Sequence, residues 1–246
     1  WNIFSIIPPV AFIIIFLLLV VFNVSKRNVL GLPFVVLTLS LVLVNTDLNF
    51  PKIYGSKDAS GIELTIFNWN TQFWETNNLN DFYQYLKIQN ADIYQFQEHI
   101  EIDADGSNFV INDLKSLEGE FKDYQIVGKG ELLIFSKYPI IKKYFDHSSY
   151  YMRNDIEIDG KIVSFYNVHV PVQIVPSYIT NPIKFMNDIE YRFYWREEIL
   201  NSLLNDIKNN KNLFYVSGDF NTTKSMREMN DLLSLTNDSF RYSSTL

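Results

Sequence analysis

Residues 213–222 read LFYVSGDFNT. A short, charge-free apolar run of this kind predicts a strand buried on both faces. The run stops abruptly at Gly218-Asp219-Phe220-Asn221. Asp219 and Asn221 are two residues apart, so in an extended chain they point to the same side. A carboxylate at the mouth of a buried strand is costly unless something positive stands beside it. A divalent cation or a His would serve. The same residues also read as a Gly-Asp turn closing a strand, with Asn as a turn residue. The decapeptide alone leaves both readings open.

The first 50 residues differ in kind from the rest. Residues 6–24 are nearly all apolar, and 12–22 hold no polar residue. Ser25-Lys26-Arg27-Asn28 interrupts them, and a second, shorter apolar run follows over 29–44. Two such runs predict a transmembrane helical hairpin that meets a lipid bilayer through residues 6–45. No basic segment precedes the first run and no small-residue cleavage site follows it, which argues against a signal peptide. Lys26 and Arg27 are the only charges in the tight loop, so the positive-inside preference puts that loop in the cytoplasm. The expectation is a multi-pass protein of the cell membrane with its remaining residues outside. The domain plan is two membrane helices over 1–48, a polar linker over 49–61 and a soluble domain over 62–246.

That soluble part has the means to build a large core. Of the 246 residues 47% are hydrophobic and 16% aromatic. The absence of cysteine excludes disulfides, thiolate metal ligands and Cys nucleophiles. A net charge of −7 argues against avidity for long nucleic acids, which calls for a basic footprint.

Residues 62–67 alternate like a strand and run into Asn68-Trp69-Asn70. Helical spacing follows over 80–89, then a short strand over 91–96 that ends at Gln97-Glu98. Residues 109–117 read as a helix. Strand-like pieces follow at 124–127, 132–135, 140–145, 152–158 and 161–170. Asp159-Gly160 is a hairpin signal between the last two. Residues 185–207 form a long amphipathic helix with Trp195, Ile199 and Leu203 as its apolar stripe. Arg192, Arg196, Lys208 and Lys211 read as its solvated face. A last helix is expected over 225–235. Hairpins with a few long helices predict two packed, mostly antiparallel sheets with helices outside.

Four apolar strands thus end in polar groups: Asn70, Glu98, Asn167 with His169, and Asp219 with Asn221. Converging on one cleft, they would supply hard oxygen ligands and no sulfur. Such a set suits Mg²⁺, Mn²⁺ or Ca²⁺ and disfavours structural zinc. A hard cation with open positions can polarise a phosphoryl oxygen. His147 reads as a solvated loop residue and His99 faces away from Glu98. Tyr151 and Arg153 are candidates to reach a substrate phosphate.

The constellation resembles the endonuclease/exonuclease/phosphatase (DNase I-like) superfamily. The likeness rests on FNWN at 67–70, ADIYQFQE at 91–98, LLIFSKYPI at 132–140, SFYNVHVP at 164–171 and VSGDFNT at 216–222, in family order. It implies an α/β fold, a four-layer α/β/β/α sandwich. It implies Mg²⁺ as cofactor, with Mn²⁺ as a substitute, held by Glu98, Asn70 and Asp219. His169, Asp219 and Asn221 would be catalytic, with Asn221 binding the phosphate; the residues themselves add Asn167 and Arg153 as expected substrate contacts. The implied activity is phosphate-ester hydrolysis by in-line attack of water, without a covalent intermediate. The substrate would be a lipid headgroup, a small phosphoester or a nucleic acid, and no obligate protein partner is implied. An extracellular nuclease and an inactive binding module of the same fold are the alternatives. Members of the family carry a further Asp-His pair on a later strand, whereas no His follows Asn221 here. The expectation is a chain truncated at its C-terminus with little activity as it stands.

Overall fold

The computed structural model describes residues 9–26, 31–45, 63–72, 78–102, 108–110, 114–175, 180–222 and 226–239. The chain divides into two compact units. One comprises residues 1–59 and 222–246, and the other residues 60–221.

The first unit holds helices α1 (Pro9–Lys26) and α2 (Leu32–Asn45). Their few polar side chains bond back onto their own helix. Asn23 Nδ2 donates to the Leu19 carbonyl at 2.8 Å and Ser40 Oγ to the Val36 carbonyl at 2.9 Å. Large apolar side chains stand in the open, with Leu18 64% and Phe34 63% exposed. The helical hairpin expected from the sequence is present, but its transmembrane reading needs correcting. Among the described residues no helix is long and apolar enough to cross a membrane. At about 1.5 Å per residue, α1 reaches roughly 27 Å and α2 roughly 21 Å, against a hydrocarbon core of about 30 Å. The same unit also holds a 3-10 turn (Arg227–Met229) and a short helix, Asn230–Leu235. Ser225, where that helix was expected to begin, lies outside the described residues.

The second unit is a mixed α/β domain built on two four-stranded sheets. The first sheet is ordered β1-β2-β6-β5, from β1 (Ile66–Asn70), β2 (Ile93–Gln97), β6 (Leu132–Ser136) and β5 (Gln125–Lys129). The second is β10-β9-β8-β7, from β10 (Leu213–Asp219), β9 (Lys161–His169), β8 (Tyr151–Ile158) and β7 (Ile140–Phe145). β1 runs parallel to β2 and β10 parallel to β9, while the other ladders of both sheets are antiparallel.

Parallel neighbours need a crossover, and a helix supplies each one. α3 (Leu79–Gln89) joins β1 to β2. Asn78 caps it by accepting from the amides of Asn80 and Asp81, and Asn90 ends it in a left-handed conformation. α5 (Pro182–Asn209) joins β9 to β10, with Asn181 as its cap and a proline at its start. Between these lie α4 (Leu114–Glu120) and a small ribbon of β3 (Ile100–Ile102) with β4 (Asn108–Val110). The helix expected over 109–117 is therefore shorter and later. Phe109 pairs with Glu101 in the ribbon instead. A short apolar run without clear periodicity does not separate helix from strand.

Alternation along each strand sorts side chains into two cores. Tyr94, Phe96, Leu133 and Phe135 face α3 and α4, packing with Leu86, Leu117 and Phe121. Ile93, Leu132, Ile134, Met152, Ile156 and Phe165 fill the gap between the sheets. α5 covers the far side of the second sheet. Tyr151 Oη lies 3.3 Å from Ser202 Oγ, and Arg153 pairs with Asp206. Arg196 departs from the solvated face the sequence suggested. It is fully buried, donating to the carbonyls of Pro171 and Phe220. At the β8–β9 turn Asp159 and Gly160 both take positive φ, as a two-residue hairpin with Asp-Gly requires.

Candidate functional site

The parallel pairs deliver four strand exits to one end of the domain. β10 and β9 are in register so that Asp219 pairs with His169. β1 and β2 are in register so that Asn70 pairs with Gln97, one residue before Glu98. Gly218 makes the first of these pairings possible. Its φ is +145°, and a Cβ there would sit 1.9 Å from the Val168 carbonyl oxygen on β9. Glu98 and Asn221, which follow β2 and β10, both adopt left-handed backbone, with φ of 56° and 46°. Such conformations in non-glycine residues cluster at functional sites. The sequence-level expectation that Asn70, Glu98, His169, Asp219 and Asn221 meet in one place therefore holds.

Asn70 is the hub. Its Nδ2 donates to Glu98 Oε1 and to Asp219 Oδ2, each at 2.9 Å, and its Oδ1 accepts from the Gln72 amide. The other oxygen of Asp219 accepts from the Asn221 amide at 2.8 Å. Asn221 Nδ2 reaches the Val170 carbonyl at 3.0 Å and lies 3.3 Å from His169 Nε2. Glu98 Oε1 is 3.5 Å from that same Nε2. Two carboxylates from different sheets thus share one amide.

Glu131, between β5 and β6, is a partner the sequence reading missed. Its Oε1 lies 2.6 Å from His169 Nδ1. An acid in the turn just ahead of LLIFSKYPI was the only sequence signal for it. The protonation of His169 follows from these neighbours. Burial disfavours the charged ring, but the Glu131 hydrogen bond and charge, then Glu98 and Asp219, outweigh it and raise the pKa above the usual imidazole value.

Two proposed contact residues lie elsewhere. Asn167 is fully buried beneath His169, and its Nδ2 donates to the carbonyls of Phe96 and Leu133 at 2.9 and 3.0 Å. Both of its donor hydrogens are thus engaged by backbone, which removes it from substrate contact. Arg153 points into the second sheet's outer layer. There it meets Asp155 and Asp206, and its guanidinium lies 3.6 Å from the centre of the Tyr144 ring. That charge is already neutralised away from the cluster. His147 is an exposed loop residue, as expected, paired with Asp146.

Among the described residues no three His, Cys, Asp or Glu side chains are grouped as a ready set of metal ligands. The carboxylates of Glu98 and Asp219 nevertheless fit a hard divalent cation, whereas Asn70, expected as a third ligand, turns its donating NH₂ toward them and holds the pair together instead. Magnesium takes one or two protein carboxylates and keeps water on its remaining positions. Both carboxylates converge on the partly positive NH₂ of Asn70, so a positive charge is already favoured between them.

A mixed α/β domain with two sheets, whose polar strand ends gather at one end, is the arrangement the sequence resemblance implied. No family model matches the chain, and no curated protein matches it. Solved structures similar to it include beta toxin from Staphylococcus aureus, an F277A, P278A mutant with bound magnesium ions. That pair shares 18% identity with a TM-score of 0.47, over 72% of this chain and 72% of that one. D. rerio TDP2, humanized by 14 mutations, shares 15% identity with a TM-score of 0.47, over 69% of this chain and 66% of that one. An endonuclease/exonuclease/phosphatase family protein from Leptotrichia buccalis shares 17% identity with a TM-score of 0.43, over 70% and 74%.

Proposed function

We propose that this chain is a divalent-metal-dependent phosphoesterase that hydrolyses a phosphate ester by in-line attack of water. The observation that carries the reading is the convergence of Glu98 and Asp219 on the Asn70 amide. Mg²⁺, with Mn²⁺ as a substitute, would be held there, and it would supply neutralisation of charge on the phosphoryl and leaving oxygens.

The remaining steps belong to the side chains. Glu131 holds the Nδ1–H of His169 and favours the protonated ring. His169 Nε2 and Asn221 Nδ2 then become two donors 3.3 Å apart. Neither can accept from the other, so an oxyanion placed against both satisfies them, and a phosphate oxygen is the natural guest. Asp219, whose Oδ2 accepts from Asn70, would either contact the metal or orient the attacking water and take its proton. Asn70 keeps the two carboxylates at a fixed spacing.

The substrate class follows from charge. With 28 acidic residues against 21 basic ones, small phosphoesters or lipid headgroups suit the chain better than long nucleic acids. Membrane attachment through α1 and α2 is a further part of the proposal, supported by their exposed apolar side chains.

The chemistry is tested with bis(p-nitrophenyl) phosphate. Hydrolysis by the full-length protein should require Mg²⁺ and cease in EDTA. Turnover that persists without metal would overturn the mechanism.

A further inference from the structure

The site stands on a second tier of polar residues. Strand side chains alternate, so the residue two positions before a site residue points the same way. Asn68 precedes Asn70, Asn167 precedes His169, and Ser217 precedes Asp219, while Gln97 immediately precedes Glu98. These four, with Gln95, bond to one another across the gap between the sheets. Gln97 Nε2 donates to Asn167 Oδ1 at 2.6 Å and to Asn68 Oδ1 at 3.0 Å. Ser217 Oγ donates to Gln95 Oε1 at 2.6 Å and lies 3.1 Å from Asn68 Oδ1. Asn167 Nδ2 ties the second sheet to backbone carbonyls of β2 and β6.

Stability does not explain this tier. Lower down, the same gap is filled with Ile, Leu, Met and Phe. Among the described residues Gln97 Oε1 and Gln95 Nε2 are buried without a hydrogen-bond partner, which costs free energy. Replacing both members of a buried polar pair with apolar groups of similar shape is often neutral or stabilising. Apolar contacts are non-directional, however, and would leave the sheets free to slide by fractions of an ångström. Hydrogen bonds specify both distance and direction.

We propose that the Gln97–Asn167 bridge is a positioning device that sets the separation of Glu98 on the first sheet from His169 on the second. Gln97 and Asn167 are positioning residues and touch no substrate. The inference rests on the phosphoesterase reading only for its kinetic consequence. The geometric consequence is independent of it.

The test compares wild type, Gln97→Met, Asn167→Leu and the double variant. Each single change leaves the other amide short of a partner, so both lower Tm and kcat. The double variant replaces the bridge with an apolar pair, though it also gives up the Asn167 bonds to the Phe96 and Leu133 carbonyls and the Gln97 bond to Asn68. Its Tm should fall by less than the sum of the two single losses, while kcat stays at least about tenfold low and KM moves by less than about twofold, as expected when reacting groups are misplaced by a fraction of an ångström. A kcat in the double variant within about twofold of wild type would show that the bridge only stabilises the fold, and would overturn the proposal. If the double variant fails to fold, the kcat-against-KM split of Gln97→Met is read in the same way. A crystal structure of whichever variant folds decides the geometry even if the wild type hydrolyses no phosphoester. The 3.5 Å between Glu98 Oε1 and His169 Nε2 should lengthen by about 0.5 Å or more. An unchanged separation would also overturn the proposal. Wild-type inactivity alone would count against the phosphoesterase reading and not against the bridge.

Discussion

The Nδ1 of His169 lies 2.6 Å from Oε1 of Glu131, a residue 38 positions away on a turn of the other sheet. With Nδ1 engaged, the ring presents Nε2 to the cluster in a fixed orientation. Glu131→Gln keeps the shape and removes the charge. Hydrogen bonds to charged groups are worth about 1.5–3 kcal/mol, so kcat/KM should fall about 10- to 100-fold. The His169 pKa, followed by NMR, should fall with it. An unchanged pKa in this variant would show that Glu131 does not govern the ring.

His169 also gives the stability curve a sign. Its folded pKa is raised above the ordinary value near 6.5. The stabilisation from the charged ring is therefore complete below that value and is lost as pH climbs through the folded pKa. In metal-free buffer Tm should decline across that window in wild type, and the decline should flatten in His169→Gln. Added Mg²⁺ should lower the His169 pKa, because a cation between Glu98 and Asp219 offsets two of the charges that raise it. A pKa indifferent to Mg²⁺ would place any bound metal elsewhere.

Glu98→Gln should weaken Mg²⁺ binding, measured by calorimetry, and reduce the rate roughly 10²-fold or more. The neutral amide also relieves repulsion between Glu98 and Asp219, so metal-free Tm should hold or rise. A variant that binds Mg²⁺ as wild type does would remove Glu98 from the ligand set.

Gly218→Ala tests the close approach of β10 to β9. A methyl group there meets the Val168 carbonyl at 1.9 Å, on a backbone that L-residues rarely adopt. Overpacking and conformational strain together predict a loss of about 3 kcal/mol, read by urea denaturation. A loss under about 1 kcal/mol would mean that the two strands part easily at this point.

How much of this could be read from the residues depends on the kind of signal. Apolar runs ending in Asn70, Glu98, His169 and Asp219 were legible because an uncompensated polar group at a buried strand end is unusual. Glu131 was not, because an acid in a tight turn looks like any solvated turn residue until its partner is known. Asn167 was placed on the correct face by the period of two. That period says nothing about depth, and one step down the strand turned a contact residue into a buried brace. Arg196 was misread for a related reason. Amphipathic spacing assigns an Arg to solvent, and only the folded chain brings the Pro171 and Phe220 carbonyls to meet it.

The edge position of β10 has a consequence for the order of assembly. Among the described residues its ladder is with β9 alone, and it arrives only after the 28 residues of α5 have spanned the sheet. Asp219 and Asn221 travel with it. A nascent or refolding chain can therefore bury its aromatic interior before its reactive pocket exists. In stopped-flow refolding, tryptophan fluorescence should reach its final value no later than the capacity to bind Mg²⁺ appears. The reverse order would mean that β10 docks early.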